Sequence, residues 1–365
     1  MTALASSHRR IGPIVCALAL LLAACSPAAT PAASKSVSAT AAAPAAATGA
    51  PAASTPPVTV NIGLLANALY APLFVGVDKG IFLKHGIDLK IHIVTEGTDE
   101  VRGLQGGQFQ VIGNAWETML PAASQGVPFK VICVITGTPD VGNYDNQVAL
   151  VVGPGFKGTS VADLKGKKIA AAMGTAPVTW LLLQLKAAGL AATDVTIQNV
   201  SVPNQLSTLA NGGADAAVPA EPYGTLMVSK IPGARVLKRG GGVTDVRVEL
   251  ISLGPWVAAN PATVEKMVAG EYEAEQYVRE HPNATVTATS HYISKIDPAI
   301  LAKALKYISF DPQWSDKIEK SYDTATQTMV KTGQIKKAPK TTDLLDMTAL
   351  TLYTKYPQYF TDVVK

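Results

Sequence analysis

The sequence is poor in cysteine and in charged residues. It has 3 cysteines, Cys16, Cys25 and Cys133, and the last stands alone in the apolar run Val131–Ile135. Cys16 falls in a predicted signal peptide and Cys25 is predicted to be lipidated, as argued below, so no intramolecular disulfide is expected after processing. Cys133 is predicted to be buried in a strand. Charged residues make up 16% of the chain and apolar residues 48%. This balance excludes a chain that is disordered overall, and it allows a well-buried core.

A strong charge of either sign is also missing. The chain carries 31 Lys and Arg against 27 Asp and Glu, a formal net charge of +4. No basic block and no alternation of basic with aromatic residues occurs, so a nucleic-acid partner is not indicated. No His-Glu-x-x-His pattern is present either, so we predict neither a metal site nor a cofactor.

Long hydrophobic runs are the third absence, because no segment has the roughly 20 apolar residues that a membrane-spanning helix needs. A shorter apolar run, Ile11–Leu22, follows His8-Arg9-Arg10 and leads to Leu22-Ala23-Ala24-Cys25. This pattern predicts a signal peptide over residues 1–24, cleavage before a lipidated Cys25, and a membrane anchor. The alternative is an ordinary signal peptide with a chance cysteine.

The segment 25–57 is almost entirely Ala, Ser, Thr, Pro and Gly. It cannot bury enough apolar surface to offset the entropy of ordering, so we predict a disordered tether. From Val58 onward, strand patterns alternate with helix patterns, which indicates an α/β fold with mostly parallel sheets.

Particular residues predict where helices begin and end. Thr98 is expected to cap a helix, and Gly80 and Gly189 are expected to close helices. Beyond Asn260 the chain is expected to be mainly helical. Three Asn-Pro or Asp-Pro pairs predict helix starts there, namely Asn260-Pro261, Asp297-Pro298 and Asp311-Pro312.

A series of short motifs resembles the solute-binding proteins of ABC importers for nitrate, aliphatic sulfonates, taurine and thiamine-pyrimidine precursors. The motifs are Ile62-Gly63, Ala71-Pro72-Leu73-Phe74, Lys79-Gly80-Ile81-Phe82, Gly86-Ile87-Asp88-Leu89, Gly107-Gln108-Phe109-Gln110-Val111, Gly126-Val127-Pro128, Asp163 to Ile169, Gly212 to Ala217 and Glu221-Pro222. Their order and spacing, more than any single motif, carry the resemblance.

The resemblance implies a two-lobe clamshell of the periplasmic-binding-protein type. Lobe 1 is discontinuous, with a first part at 58–147 and a second part at 250–365 that includes C-terminal helices. Lobe 2 covers 148–249, and two extended crossings form the hinge. The implied role is the capture of a small organic solute for an ABC permease and its ATPase, by a monomer in the cell envelope.

Candidate site residues lie in loops that follow strands and lead into helices, where parallel sheets bind ligands. Aromatic side chains there could sandwich a ring, Thr and Asn side chains could donate hydrogen bonds, and carboxylates could accept them. The predicted ligand-binding residues are Tyr70, Thr98, Asn114, Trp116, Glu117, Gly174, Thr175, Ala176, Glu221 and Tyr223.

Close to these loops the sequence shows a single basic residue, Arg102. The two carboxylates and three aromatic residues instead favour a flat, nitrogen-bearing solute, or an amino-sulfonate whose ammonium group meets Glu221. A small anion held by helix N-termini remains an alternative.

Two other classes of function stay open. One is a pyrimidine-synthesising enzyme of the same fold, although that branch uses a cysteine-rich motif that this chain lacks. The other is a surface lipoprotein without a transport role, which would show no closure on a ligand.

Overall fold

The structure is a computed structural model that describes residues 56–137, 145–311 and 313–362. Residues Ser54–Lys365 form one compact unit. The predicted signal peptide, Cys25 and the tether up to residue 55 lie outside the described residues.

The first sheet is built from the beginning of the folded part and one strand that returns much later. Its spatial order is β2-β1-β3-β10-β4. The strands are β1 (Val58–Leu65), β2 (Ile87–Val94), β3 (Val111–Asn114), β4 (Phe129–Val134) and β10 (Glu249–Leu253).

The second sheet is formed by the segment between β4 and β10, in the order β7-β6-β8-β5-β9. Its strands are β5 (Ala149–Val152), β6 (Lys168–Ala171), β7 (Thr196–Asn199), β8 (Ala216–Ala217) and β9 (Arg235–Arg239). The two sheets confirm the predicted α/β class.

Each sheet contains one strand that runs against the others. β1 pairs in parallel with β2 and β3, whereas β10 lies antiparallel between β3 and β4. In the second sheet β6 pairs in parallel with β7 and β8, and β5 is antiparallel to β8 and β9. The two antiparallel strands, β5 and β10, are each the first strand after the chain passes from one sheet to the other. The prediction of mostly parallel sheets therefore holds, except at these two strands.

Helices cover the faces of both sheets. The helices are α1 (Ala71–Asp78), α2 (Ile81–Lys84), α3 (Gly97–Gln105), α4 (Trp116–Ala123), α5 (Ala176–Ala187), α6 (Val202–Ala210), α7 (Tyr223–Lys230), α8 (Gly254–Ala259), α9 (Pro261–Glu280), α10 (Pro282–Tyr292), α11 (Pro298–Leu305), α12 (Asp316–Lys331) and α13 (Met347–Leu350). We call the first sheet with its helices lobe 1, and the second sheet with α5, α6 and α7 lobe 2.

Lobe 1 has two hydrophobic cores because successive strand residues point to opposite faces of the sheet. Ile132 faces the core under α1, α9 and α10, and its neighbour Val131 faces the core under α3, α4 and α12. In lobe 2, Trp180 of α5 fills the core on one face, and Met227 of α7 packs on the other.

The two passages between the lobes are hydrogen-bonded to each other. Ile135 N–H donates to the Val248 carbonyl at 2.9 Å, and Val248 N–H donates to the Thr136 hydroxyl at 3.1 Å. The buried Arg247 guanidinium donates to the carbonyls of Thr136 and Gly137. Two adjacent crossings of this kind are what a hinge requires.

Several local predictions are confirmed. Gly80 and Gly189 have φ angles of 68° and 76°, directly after α1 and α5, where a left-handed residue ends a helix most easily. α9 begins at Pro261, and α11 begins at Pro298, where the Asp297 carboxylate accepts from Ala299 N–H at 2.7 Å.

Two predicted helix starts are wrong. α3 begins at Gly97, with Glu96 in the capping position and Asp99 accepting from Glu96 N–H, so Thr98 lies inside the first turn. No described helix starts directly after Asp311. Its carboxylate accepts from Gln313 N–H, and α12 begins only at Asp316.

Candidate functional site

A cavity of about 620 Å³ lies between the two lobes. Lobe 1 contributes the loops that follow β1, β2 and β3, together with the connection between α10 and α11. Lobe 2 contributes the loop after β6, the start of α6 and the chain around α7. The second crossing, by which the chain returns from lobe 2 to β10, contributes Val246–Val248. The lining residues are Leu65–Asn67, Leu69, Tyr70, Ile93–Gly97, Asn114, Ala115, Thr118, Ala172, Thr175–Pro177, Val202, Pro203, Ala220, Tyr223, Leu226, Val246–Val248 and Tyr292–Ile296.

The position of this cavity follows from strand direction. β1, β2, β3 and β6 all end at its wall, and each is followed by a loop that leads into a helix. Carboxyl ends of strands, beside the point where the chain changes direction, are where open α/β sheets bind ligands. The cavity is therefore the candidate binding site.

Five of the ten predicted site residues line this cavity: Tyr70, Asn114, Thr175, Ala176 and Tyr223. The side chains of three of them are already hydrogen-bonded within the protein. The Tyr70 hydroxyl donates to the Gly113 carbonyl at 2.6 Å, and the Thr175 hydroxyl donates to the Ala172 carbonyl at 2.6 Å.

Asn114 uses both ends of its amide. Nδ2 donates to the Gly97 carbonyl at 2.9 Å, and Oδ1 accepts from Ala115 N–H at 2.7 Å. The side chain thereby ties the end of β3 to the starts of α3 and α4. Asn114 therefore holds the loops of the cavity wall in position.

The other five predicted residues, Thr98, Trp116, Glu117, Gly174 and Glu221, are not on the cavity wall. Trp116 is buried instead in lobe 1, where its ring stacks on Tyr322 with centroids 4.3 Å apart. Its indole N–H donates to the Thr326 hydroxyl at 2.9 Å. The prediction that Trp116 stacks on a solute is thus corrected, because α12 supplies its aromatic partner.

Thr98 and Gly174 also have local roles. Thr98 is exposed on α3, and its hydroxyl accepts from Arg102 at 3.2 Å. Gly174 has a φ angle of 75° in the turn before α5. Arg102 does not line the cavity either.

The two predicted carboxylates lie behind the wall. Glu117 is buried at the start of α4, and burial raises the pKa of its carboxyl to about 7. Glu221 is fully buried and forms an ion pair with Arg239, with Oε1 and Nη2 2.5 Å apart. The Glu221 carboxylate also accepts from the Thr225 hydroxyl at 3.0 Å and from Thr225 N–H at 3.1 Å.

These contacts bear directly on the ionisation of Glu221. Burial raises the pKa of this carboxyl, and Arg239 and Thr225 oppose the rise. Arg239 in turn lies 3.8 Å from the centroid of the Tyr307 ring, which belongs to the chain after α11 in lobe 1. Glu221 therefore meets a cation of this chain, which replaces the predicted contact with an ammonium group of the solute.

Two basic residues on the wall were missed by sequence reasoning, Arg247 and Lys295. Arg247 lies on the second crossing, within 3.3 Å of the Asp245 carboxylate. Lys295 is exposed, in the connection between α10 and α11. No local sequence signal marks either residue. Arg247 reaches the cavity because the second crossing passes it, and Lys295 because the connection between α10 and α11 does, and both placements depend on the tertiary fold.

The described residues include no cluster of His, Cys, Asp and Glu side chains able to hold a metal ion. Within the same part of the chain, no helix has the length and apolar character needed to cross a membrane.

The sequence has relatives over most of its length. A Brucella abortus protein described as a binding protein is 29% identical over 255 residues, which cover 68% of this chain and 76% of the relative. A Bacillus subtilis protein described as binding aliphatic sulfonates is 27% identical over 292 residues, covering 76% and 83%.

Solved structures share the fold. The periplasmic aliphatic sulphonate binding protein SsuA from Escherichia coli matches with a TM-score of 0.70 at 16% identity, over 80% of this chain and 92% of that one. The desulfurization enzyme DSZB matches with a TM-score of 0.60 at 14% identity, over 82% and 99%. At these identities the likeness concerns the fold, and it confirms the predicted two-lobe architecture.

The family model described as "NMT1/THI5 like" matches residues 67–285, which is more than half of the chain. This match confirms the resemblance found in the sequence motifs. The chain belongs to the NMT1/THI5-like family.

Proposed function

We propose that this protein is the solute-binding subunit of an ABC importer and that it works outside the cytoplasm. The observation that carries the proposal is the cavity between the lobes, to which the chain contributes wall residues from both sheets and from the second crossing. A solute held there would contact both lobes at once, so binding would favour their closure.

The relatives support this role. The Bacillus subtilis protein is described as binding aliphatic sulfonates, and SsuA is a periplasmic binding protein for the same class of solute. A permease and its ATPase are the partners that such a role requires. The two sheets are joined by two hydrogen-bonded crossings, and this supports the proposal of a hinge near the lobe boundaries placed at residues 147 and 249.

The enzyme hypothesis has some support from fold alone, since DSZB is an enzyme. The chemistry of this chain favours binding. Cys133 is the cysteine within the described residues, and it is buried in β4. Burial raises the pKa of its thiol well above the ordinary value, so it carries little of the thiolate that a nucleophile needs.

The test is a solute screen on the unit Ser54–Lys365, which contains all the hydrophobic cores described above. Thermal shift would find the solutes, since a ligand that binds only the folded state raises the midpoint with its concentration. Small-angle scattering with and without each hit would then measure closure. A hit that leaves the radius of gyration unchanged, or a hit that is turned over, would contradict the proposal.

The anchor is a separate part of the proposal. If Cys25 is lipidated and the signal peptide is then cleaved before it, the mature protein sediments with membranes, and Cys25→Ala releases it into the soluble fraction. The control is Cys133→Ala, which leaves the anchor intact. Equal membrane association of the Cys25→Ala variant and the natural sequence would rule out a lipid anchor at this position.

A further inference from the structure

We propose that lobe 1 contacts a bilayer of anionic phospholipids through the end of its sheet that lies opposite the cavity. We call this end the basal face and define it by five exposed lysines, Lys266, Lys331, Lys336, Lys337 and Lys340. The proposal goes beyond the solute-binding role, because it names a second partner, the lipid surface, and a part of the molecule that is remote from the cavity.

Strand direction places the basal face. β1 and β3 end at the cavity wall, so they begin at the opposite end of lobe 1. β4 begins at that end too, because β3 and β4 are both antiparallel to β10. A strand of eight residues such as β1 is about 25 Å long. Contact through the basal face therefore leaves the cavity about one strand length from the bilayer, open to solutes.

Lys266 reaches the basal face from the start of α9. Val58, the first residue of β1, donates its N–H to the Gly86 carbonyl at 2.9 Å. A Cβ built on Gly86 would lie 3.6 Å from Lys266 Nζ, so this ammonium group is beside the beginning of β1. Val58 is also where the preceding segment joins the sheet. A lipid on Cys25 would thus be connected to the fold at the basal face.

The other four lysines lie in the segment 331–340, which follows α12. Lys130, near the beginning of β4, donates from Nζ to the Leu345 carbonyl at 3.0 Å. Ile335 is buried in the same core as Leu345. The segment therefore lies beside the beginning of β4, with its lysine side chains exposed.

The positive charge of the basal face is mostly uncompensated. Four of its lysines, all except Lys340, have no ion-pair partner within residues 56–137, 145–311 and 313–362. Lys340 lies 3.9 Å from Asp343, but both side chains are more than 70% exposed, so water screens this pair. A lysine at an anionic membrane surface gains about 1 kcal/mol, which is about fivefold in affinity. Several such lysines on one face favour a surface dense in phosphate groups.

Exposed apolar side chains occur at the same end of lobe 1. Leu83 of α2, three residues before Gly86, is 54% exposed, and Val58 is 43% exposed. Single exposed apolar residues are common on proteins. Beside unpaired lysines, however, they match the boundary of a bilayer, where cations meet phosphates and apolar side chains enter the acyl region. This combination favours a bilayer over a soluble polyanion.

The first experiment measures binding of the Ser54–Lys365 unit, which carries no lipid, to vesicles. Sedimentation would compare phosphatidylcholine vesicles with vesicles that also contain phosphatidylglycerol, at low and at high salt. We expect binding only to the anionic vesicles, and weaker binding at high salt, because salt screens exposed charges. Equal binding to both kinds of vesicle, or none to the anionic ones, would overturn the proposal and leave the solute-binding role untouched.

The second experiment removes charge from the basal face. The triple variant Lys331→Gln, Lys336→Gln, Lys337→Gln should bind anionic vesicles about 100-fold more weakly, which is three lysines at about fivefold each. The matched control changes three exposed lysines elsewhere in the fold to Gln, namely Lys186, Lys230 and Lys303. It alters the net charge equally and should bind nearly as well as the natural sequence. Equal losses in the two triple variants would show that total charge matters and would overturn the basal face as the contact.

The third experiment separates a bilayer from a soluble polyanion. Leu83→Ala should weaken binding to anionic vesicles about fivefold and leave binding to polyphosphate unchanged, because apolar area is covered only in the bilayer. The control is Val228→Ala on α7, which is 39% exposed and lies in lobe 2. Unchanged vesicle binding of the Leu83→Ala variant would assign the lysines to a soluble polyanion and would overturn the bilayer as the partner.

The fourth experiment tests the orientation. A fluorophore would be attached to Thr332→Cys beside the basal lysines or to Ser294→Cys on the cavity wall, both of which are exposed positions. Cys133 is buried and should not be labelled. On anionic vesicles with spin-labelled headgroups, we expect strong quenching at position 332 and little at 294. Equal quenching at both positions, or stronger quenching at 294, would contradict contact through the basal face.

Discussion

The sharpest test of the packing concerns Glu271, because this carboxyl lies in the core of lobe 1 without a partner. Its side chain is fully buried on α9, and neither oxygen has a hydrogen-bond partner among the described residues. Burial raises the pKa of the carboxyl from 4.5 to about 8. The folded protein therefore holds a proton at neutral pH that the unfolded chain releases.

The sign of the effect on stability follows from this difference in pKa. Below pH 4.5 both states carry the proton, and the buried group costs nothing in ionisation. As the pH rises from 4.5 to about 8, the free energy of unfolding falls, by about 1.4 kcal/mol per pH unit. Between pH 5 and pH 7 the loss from Glu271 alone is about 3 kcal/mol, which is two pH units at that slope.

The substitution Glu271→Gln removes the titration and keeps the shape of the side chain. We expect the variant and the natural sequence to have similar stability near pH 4.5. At pH 7 the variant should be more stable by about 3 kcal/mol, which corresponds to 2.5 pH units at the slope above. Urea unfolding of the Ser54–Lys365 unit, followed by circular dichroism at several pH values, measures this difference.

The control is Glu280→Gln, which changes an exposed carboxyl at the end of the same helix and should alter the free energy of unfolding at pH 7 by less than about 0.5 kcal/mol. The argument is refuted if the Glu271→Gln variant loses stability with pH as steeply as the natural sequence. A variant that is less stable at pH 7 would refute it equally.

Two further predictions concern single contacts. Arg239→Met leaves the buried Glu221 carboxylate without its cation, so the free energy of unfolding in urea should fall by about 3–5 kcal/mol. Adding Glu221→Gln to the same chain should restore most of this loss. A double variant that is no more stable than Arg239→Met would contradict the ion-pair argument. Gly113→Ala places a Cβ 2.5 Å from the Leu64 side chain and 2.7 Å from the Tyr70 ring. It should lower the free energy of unfolding by about 1–3 kcal/mol. It should also displace the Tyr70 ring on the cavity wall, so that the affinity for the solute falls. An unchanged melting midpoint would show that the ring has room to move.

Much of the fold could be predicted because its signals are local. Alternating apolar residues around Val58–Leu65 specify a strand with one face buried, and the glycines after α1 and α5 specify the ends of those helices. The same local logic failed at Thr98, where Glu96 and Asp99 begin the helix earlier. Glu96 and Thr98 could each cap α3 and lie only two residues apart. The local sequence does not rank them, because the choice depends on the backbone conformation before the helix.

The candidate site was predictable only as a set of loops. The loops after β1, β3 and β6 do line the cavity, as strand direction requires. Which side chain of a loop faces the solute depends on its neighbours. Trp116 turns inward because Tyr322 of α12 offers a stacking partner 206 residues further along the chain. Lys295 was missed because the candidate residues were taken from loops that follow strands, whereas Lys295 lies between the helices α10 and α11.

The sequence by itself determined the order of strands and helices, the α/β class and the family, because each depends on spacing between near neighbours in the chain. The tertiary structure alone decided the polarity of the cavity. It paired Glu221 with Arg239 and brought Lys295 to the wall. These pairings join residues that are distant along the chain, and their energy depends on burial and distance, which local spacing does not encode.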